Sequence, residues 1–600
     1  MNTDLDLLRQ YEPVIRYTYG EHFFPLDVEP YIEHSSLWLR GRDMPPEELV
    51  ARGQLTPELL TEIVPEFPNS TLYLQFVEPL TGRMLQKFLT RRDRPRFRAR
   101  GRLARVGLSA RIVDALFSIT LLLRGTVPGG TAAAAEEAYQ QLLARAQRYT
   151  YYGRVVRQDN YIVLHYLYFY YMNDWRSSFF GVNDHEGDWE QVFVYLQVCE
   201  GKPPAPAWVA YASHDYHGDN RRRRWDDPEL EKVGTHPVVY AGAGSHAAYF
   251  APGEYLVTVS LAGLRPVIRV LEAAQRFWRL TLRQGDPTAA PPDIAALLRI
   301  PFVDYARGDG VSIGPGGLKS WTPVLLDPAP GWVMDYRGLW GFYARDPVSG
   351  ENAPAGPKFN RDGTVRRTWH NPLGWSGLQK VEPTDCRDTI LVKRIADLEA
   401  EQERDRAQAL VQRERLAGMH AQARAVADQP HLQKAYKAAW IEVEQQEAAL
   451  NALYDTLAER DEVLRASRQR LAEIEAGHSE PPRAHLVHPP RPQSEEEIRM
   501  SGLAESWAAF SVGLLLVSTI VLYLAAENWL ISLALLMGVF GLLEAIFSRR
   551  FERLIVGVTV LLSIAAGLIL LYEFFWEVVV GGIVAIGLMI IVDNLREIRA

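Results

Sequence analysis

The sequence predicts a multidomain chain. A mainly β, β-sandwich-like N-terminal head leads into an α-helical coiled-coil hairpin stalk, and a four-helix transmembrane module closes the chain. Three observations predict this order. Residues 1–385 are rich in Trp, Tyr, Gly and Pro, with short apolar stretches broken by turn residues. Residues 388–476 carry Ala, Glu, Arg and Gln with a seven-residue apolar period. Nearly all the long apolar runs lie after residue 506. Six hundred residues exceed what one core organises, and 48% hydrophobic with 23% charged residues excludes a wholly disordered chain. A net charge of −8, from 73 acidic and 65 basic residues, excludes an overall basic nucleic-acid binder.

The chemistry of the head centres on Asn183-Asp184-His185-Glu186-Gly187-Asp188-Trp189-Glu190, followed by the strand-like QVFVYLQV of 191–198. With a strand already begun at Asp188, Asp188 and Glu190 share one face, their Cα atoms about 7 Å apart. Two carboxylates side by side repel, so they call for a cation, a proton or a basic partner. His165, His185, His214, His217, His236 and His246 cluster nearby in sequence, with Asp215 and Asp219 beside two of them in SHDYHGD. Mixed carboxylate and imidazole ligands suit zinc or manganese, while carboxylates with water suit magnesium or calcium. The competing reading is an internal polar network, since no compact zinc-finger or zincin motif is present.

Several blocks resemble a known family. YEPVIRYTYGEHFFPLDVEPYIEHSSLW (11–38), DHEGDWEQVFVYL (184–196), THPVVYAGAGSHAAYF (235–250), GLWGFYARDPVSGENAPAGPKF (338–359) and WHNPLGW (369–375) look like successive blocks of the vacuolar protein sorting protein 62 (Vps62-like) family. The element from His185 to Glu190 is also similar to the Gly-His-Arg-His-Asp-Trp-Glu heptapeptide of necrosis-inducing, Nep1-like proteins. There His185, Asp188, Trp189 and Glu190 match, while Asp184, Glu186 and Gly187 depart. The resemblance implies a β-sandwich that binds a divalent cation near His185, Asp188 and Glu190, with His246 next because it stands in a matched block. His214 and Asp215 join the set on chemistry alone.

Within the head, the insertion at about 85–150 opens on RRDRPRFRARGRLARVGLSAR (91–111), with nine arginines and one acid, followed by the apolar IVDALFSITLLL. Arg94, Arg96, Arg98, Arg100, Arg102 and Arg105 are read as a membrane-surface patch for anionic lipid. Acidic partners, or a solvated basic loop beside a core helix, are the alternatives.

The stalk follows from periodicity. Ile395, Leu398, Gln402, Asp405, Ala409, Gln412 and Leu416 keep a heptad with polar breaks, Pro430 stops the helix, and Val443, Leu450, Leu453, Leu457 and Leu464 resume it. Pairing within one chain or between two copies would look alike here. Residues 477–505 hold five prolines among polar residues and read as a semi-stiff linker.

The C-terminal module, 506–600, holds apolar runs at about 507–526, 529–547, 554–572 and 576–592, with Trp and Tyr at their ends. Arg549, Arg550, Arg553, Arg596 and Arg599 place the termini, and hence the head, on the cytoplasmic side of a multi-pass protein. Ala, Arg and Pro in excess over Lys fit a bacterial genome, and the inner membrane in that case. Glu544 is expected to snorkel toward the interface. The N-terminus shows no secretory signal, and two cysteines, Cys199 and Cys386, fit reducing surroundings.

The favoured function is a membrane-anchored binding or tethering protein. Its head would bind a divalent cation (Ca, Mg, Mn or Zn) and a lipid headgroup or protein partner, with self-association through the stalk. The alternative is a metal-dependent phosphoester or lipid hydrolase, with His214 or His246 as base. No GxSxG, P-loop or HExxH motif stands behind it.

Overall fold

The structure, a computed structural model, describes residues 3–41, 45–63, 70–91, 108, 111–112, 129–145, 148–174, 184–199, 201–212, 221–260, 269, 299–342, 353–381, 387–427, 429–476, 502–525, 528–548, 573–576, 580, 584 and 587–589. The chain divides into two compact units. One comprises Met1–Arg98, Phe117–Leu282 and Phe302–Gln493; the other comprises Ala99–Leu116, Arg283–Pro301 and Ser494–Ala600.

The first unit holds strands β1 (Val14–Arg16), β2 (Ser36–Arg40), β3 (Glu47–Val50), β4 (Thr71–Gln75), β5 (Tyr149–Gln158) and β6 (Tyr161–Asn173). Next come β7 (His185–Gln197), β8 (Ala205–Tyr211), β9 (Arg222–Arg224), β10 (Lys232–Val233), β11 (His236–Ala241) and β12 (Ala248–Tyr249). The last are β13 (Gly253–Ser260), the part of β14 (Arg299–Ala306) from Phe302 on, β15 (Ser312–Ile313) and β16 (Trp321–Leu325). A six-stranded sheet runs β16-β5-β6-β7-β8-β9, antiparallel except for the parallel β16–β5 pair. A five-stranded sheet runs β10-β11-β1-β15, with β12 on β11.

The long central strands β6 and β7 are buried along nearly their whole length, which explains why YIVLHYLYFYYMN is continuous in aromatic and β-branched residues rather than alternating. One face of the large sheet, through Tyr166, Tyr168, Tyr170, Val192 and Val194, packs on Ile15, Val239, Ala241, Ala248 and Ile313 of the second sheet. Its other face, through Leu167, Phe169, Tyr171 and Trp189, packs on helix α1 (Gly129–Arg145) and on Leu37, Leu72 and Leu74 of a three-stranded sheet, β3-β2-β4. The mainly β expectation is therefore corrected to mixed sheets and helices. Propensity along the chain marks the strands, but it does not announce that a helix and several helical turns complete the second core.

In the same unit, helices α2 (Arg387–Ala427) and α3 (Gln433–Glu475) meet at a turn through Pro430. They run antiparallel, as the pairs Asp405–Arg460, Glu399–Arg468 and His420–Trp440 require. Ala409, Leu450 and Leu457 fill one seam layer with Leu416 and Leu453. The polar layer beside it is satisfied across the helices: Arg460 lies 2.6 Å from Asp405, and Gln402 bonds Asp461.

The second unit holds helices α4 (Gly502–Ala525) and α5 (Trp529–Ser548). Leu108 packs with Leu515 and Phe540, and Arg111 pairs with Glu544, which also accepts a hydrogen bond from Trp507 Nε1 at 2.8 Å. Among the described residues no helix is long and apolar enough to cross a membrane. That finding overturns the four-helix transmembrane module, the multi-pass membrane description and the integral, cytoplasm-facing localisation. Counting apolar residues along the chain misses the polar groups built into these helices. Glu505 lies inside α4, and the carboxylate of Glu544 is tied to Arg111 and Trp507 rather than snorkelling. The runs 554–572 and 576–592 lie largely outside the described residues, as do Arg94, Arg96, Arg98, Arg100, Arg102 and Arg105.

Cys199 is disulfide-bonded.

Candidate functional site

The site is built on the first turn of β7. Alternation along a strand would aim Glu186, Asp188 and Glu190 at one face. Gly187 prevents this. It adopts φ +61, and a Cβ there would fall 2.1 Å from the Trp340 carbonyl oxygen, so only glycine fits. The ladder keeps one register through Met172–Glu186, Tyr170–Asp188 and Tyr168–Glu190. The contacts nonetheless diverge: Glu186 enters the core of Met172 and reaches Phe76, Val77 and Phe342, while Asp188 reaches His246 on the side of Tyr168 and Tyr170.

Glu186 is almost fully buried, and its carboxylate accepts three backbone N–H groups: Phe76 and Phe342 on Oε2 at 3.0 Å each, and Val77 on Oε1 at 2.9 Å. Burial pushes its pKa up to about 7 against those donors. This carboxylate is a staple that joins β7 to the end of β4 and to the segment around Trp340.

Asp188 meets a different environment. His246 Nδ1 donates to its Oδ2 at 2.9 Å, and Asn173 lies 3.4 Å from the same oxygen. His246 is buried, stands at φ +57, and stacks face to face on Tyr170 with centroids 3.7 Å apart. A turn from Gly242 to Ala247 holds it there: His246 N donates to Gly242 O, and Gly244 N donates to Glu21 Oε2 at 2.8 Å. The Glu21 Oε1 atom accepts from the backbone of His22 and Phe23 and lies 3.8 Å from His246 Nε2. That Nε2 has no hydrogen-bond partner among the described residues.

The imidazole thus stands between two carboxylates. Burial opposes its charged form, but the bond to Asp188 and the nearness of Glu21 outweigh it and push its pKa up to about 9. Glu21 moves the other way: burial raises its pKa, but His246 and the N–H groups of Gly244 and Phe23 bring it below the usual carboxylate range. Glu190, next on the same face, is held well above that range by burial and by the neighbouring Asp188 and Asp304 carboxylates, with Arg221 and Arg366 opposing. Asp304 is fully buried and accepts from Tyr249 Oη.

Of the residues singled out from sequence, Asp188, Glu190 and His246 come together here. His185 lies at the strand's start, its Nδ1 donating to the Gly187 carbonyl at 3.0 Å, and burial lowers its pKa despite Asp188. His165 is buried in the sheet, stacked on Phe193 and bonded to Gln191 at 3.1 Å. His236 bonds the Glu12 carbonyl at 3.0 Å, away from the cluster. His214 and Asp215 lie outside the described residues. Sequence reasoning missed Glu21, Asp304 and Arg221. Glu21 stood beside His22 in YTYGEHFF, a quoted block, but more than 160 positions before the His185–Glu190 element. Asp304 and Arg221 carry no local signal.

Among the described residues, no three or more His, Cys, Asp or Glu side chains stand ready to hold a metal ion. No family model matches the chain, and no curated protein matches it. Among solved structures it is similar to a non-toxic HaNLP3 protein, at 16% identity over 15% of this chain, with a TM-score of 0.12. The match spans 38% of that protein's length. A likeness this slight carries no argument, and the Vps62 resemblance gains no support from these comparisons.

Proposed function

We propose that the head is a binding module which takes a divalent cation on the Asp188–Glu190 face of β7 and, through it, an anionic headgroup. The observation that carries this reading is that Glu190 is buried with Asp188 and Asp304 near it, and both of those carboxylates raise the cost of ionising it. Charge of one sign gathered so closely is relieved by a cation. Asp188 and Glu190 would supply two ligands, and His246, protonated between Asp188 and Glu21, would have to give up its proton before its Nε2 could join them.

The hydrolase alternative is weaker on one specific ground. His246, its base, sits between Asp188 and Glu21 and keeps its proton at neutral pH, so it acts as a cation rather than a proton acceptor. The test uses the full chain. Calcium, magnesium, manganese and zinc are each titrated against the melting temperature, beside elemental analysis of the protein as purified. A cation that raises the wild-type melting temperature, and loses its effect in Asp188→Asn and Glu190→Gln, supports the reading. If no ion co-purifies and none shifts the transition, the cluster is an internal ion network and the reading is dead.

A further inference from the structure

Arg394 lies on the second turn of α2, where the root of the hairpin meets the head. Its side chain is only 8% exposed, and Leu391 in the same turn is buried as well. A guanidinium taken out of water in this way needs its N–H groups met by acceptors. Nη1 is met by Asp159 Oδ2 at 2.8 Å. Nε and Nη2 have no hydrogen-bond partner among the described residues.

These two nitrogens share one edge of the planar group. Their N–H bonds run side by side, in the geometry that takes both oxygens of a carboxylate or a phosphate. Elsewhere in the protein the same edge does this: Arg224 donates from Nε to Asp226 Oδ1 at 2.8 Å and from Nη2 to Oδ2 at 2.6 Å. No described side chain brings a pair of oxygens to the corresponding edge of Arg394.

The charge around the fork has the sign an anion requires. On the head side stands Tyr161, a buried phenol in the same apolar cluster as Trp208. Burial raises its pKa, while Arg394 and Arg222 both act to lower it and Asp159 is the one acid acting against them. Arg222 reaches this corner from β9, its guanidinium carbon 5.7 Å from the centre of the Trp208 ring. Two arginines face one carboxylate, so the surplus is positive, and one negative charge would balance it.

We infer that the Nε–Nη2 edge of Arg394 binds a small oxyanion, phosphate or a short carboxylate, between the root of the hairpin and the β5–β6 turn. The burial of the side chain sets the size, because a folded partner cannot reach an edge so enclosed. The site is independent of the cation reading at Asp188.

The test uses the full chain, dialysed free of oxyanions and without divalent cations. Inorganic phosphate and acetate are each titrated against the melting temperature, with chloride at matched ionic strength as the reference. Calorimetry gives the half-saturation. The wild-type melting temperature is expected to rise with the logarithm of phosphate or acetate concentration, beyond any effect of chloride. Arg394→Lys keeps a cation for Asp159 but lacks the fork, and should bind at least about tenfold more weakly. Asp159→Asn should act in the opposite direction. Asparagine accepts the φ of +52 at this position, and removing the competing acid should tighten half-saturation at least about threefold. A purely structural arginine gives no such gain, and this readout does not depend on the lysine variant folding. A rise no larger than that with chloride, an equal rise in Arg394→Lys, or half-saturation that does not tighten in Asp159→Asn would each overturn the site.

Discussion

Two carboxylates two residues apart on one strand, Glu186 and Asp188, have opposite surroundings. Glu186 is met by three backbone amides that cannot move away, whereas Asp188 is met by an imidazole and stands near the Glu190 carboxylate, whose ionisation it opposes. Fixed dipoles satisfy a charge permanently and leave nothing for a ligand to do. A partner that carries a proton, and neighbours of like charge, leave a balance that a ligand can shift. The difference separates the part of the His185–Glu190 element that builds the head from the part that serves it.

The division depends on Gly187, and breaking it there should have the largest effect. Gly187→Ala forces a side chain into a left-handed conformation and against the Trp340 carbonyl. A loss of at least about 3 kcal/mol is expected. The urea midpoint of the full chain checks it; a variant within about 1 kcal/mol of wild type would mean that the two faces are not set by this residue.

Glu186→Ala comes next. It leaves three buried N–H groups without their acceptor, and a loss of about 3 kcal/mol is expected, with part of it recovered in Glu186→Gln. The comparison sharpens if the glutamine variant keeps the wild-type response to added cation. A glutamine variant that loses that response would merge the two faces into one site.

The third test is pH. His246 has its pKa raised above the unfolded value, so its contribution is fully present below about pH 6.5. It is lost as the pH rises through about 9. The expected loss across that window is on the order of 2 kcal/mol, less than the shift alone would give because Asp188 and Glu21 share the proton's effect. His246→Gln should flatten the profile there. Chemical denaturation between pH 6 and 10 reads both, and a flat wild-type profile would remove the imidazolium from between its two acids.

How much of this was legible in the sequence differs by region, for physical reasons. The pairing of Asp188 with Glu190 follows from strand geometry, and the hairpin follows from a heptad interrupted by Pro430, because both are local periodicities. The opposed direction of Glu186 rests on one backbone angle that sets no pattern along the chain. Glu21 and Asp304 reach the cluster from strands and loops far apart in sequence, joined through the turn at Gly242–His246. The membrane reading failed for a related reason. An apolar run is a local property, whereas the tie from Arg111 to Glu544 crosses more than four hundred positions.

The smallest expected effect has the opposite sign, which makes it the sharpest divider of the two faces. Glu190 has its pKa raised by burial, Asp188 and Asp304, so its ionisation opposes folding above its unfolded value near pH 4.5. Glu190→Gln removes that cost and should stabilise the cation-free chain by about 1 kcal/mol at pH 7. The advantage should vanish below about pH 4, where the wild-type carboxyl is neutral in both states. Glu186→Gln, by contrast, loses stability at pH 7 because its amide nitrogen would face at least one of the three backbone N–H groups that the two carboxyl oxygens accept. A Glu190→Gln variant less stable than wild type at pH 7, without added metal, would place Glu190 with Glu186 among the residues that hold the head together. The repulsion that gives the cation its reason would then be absent.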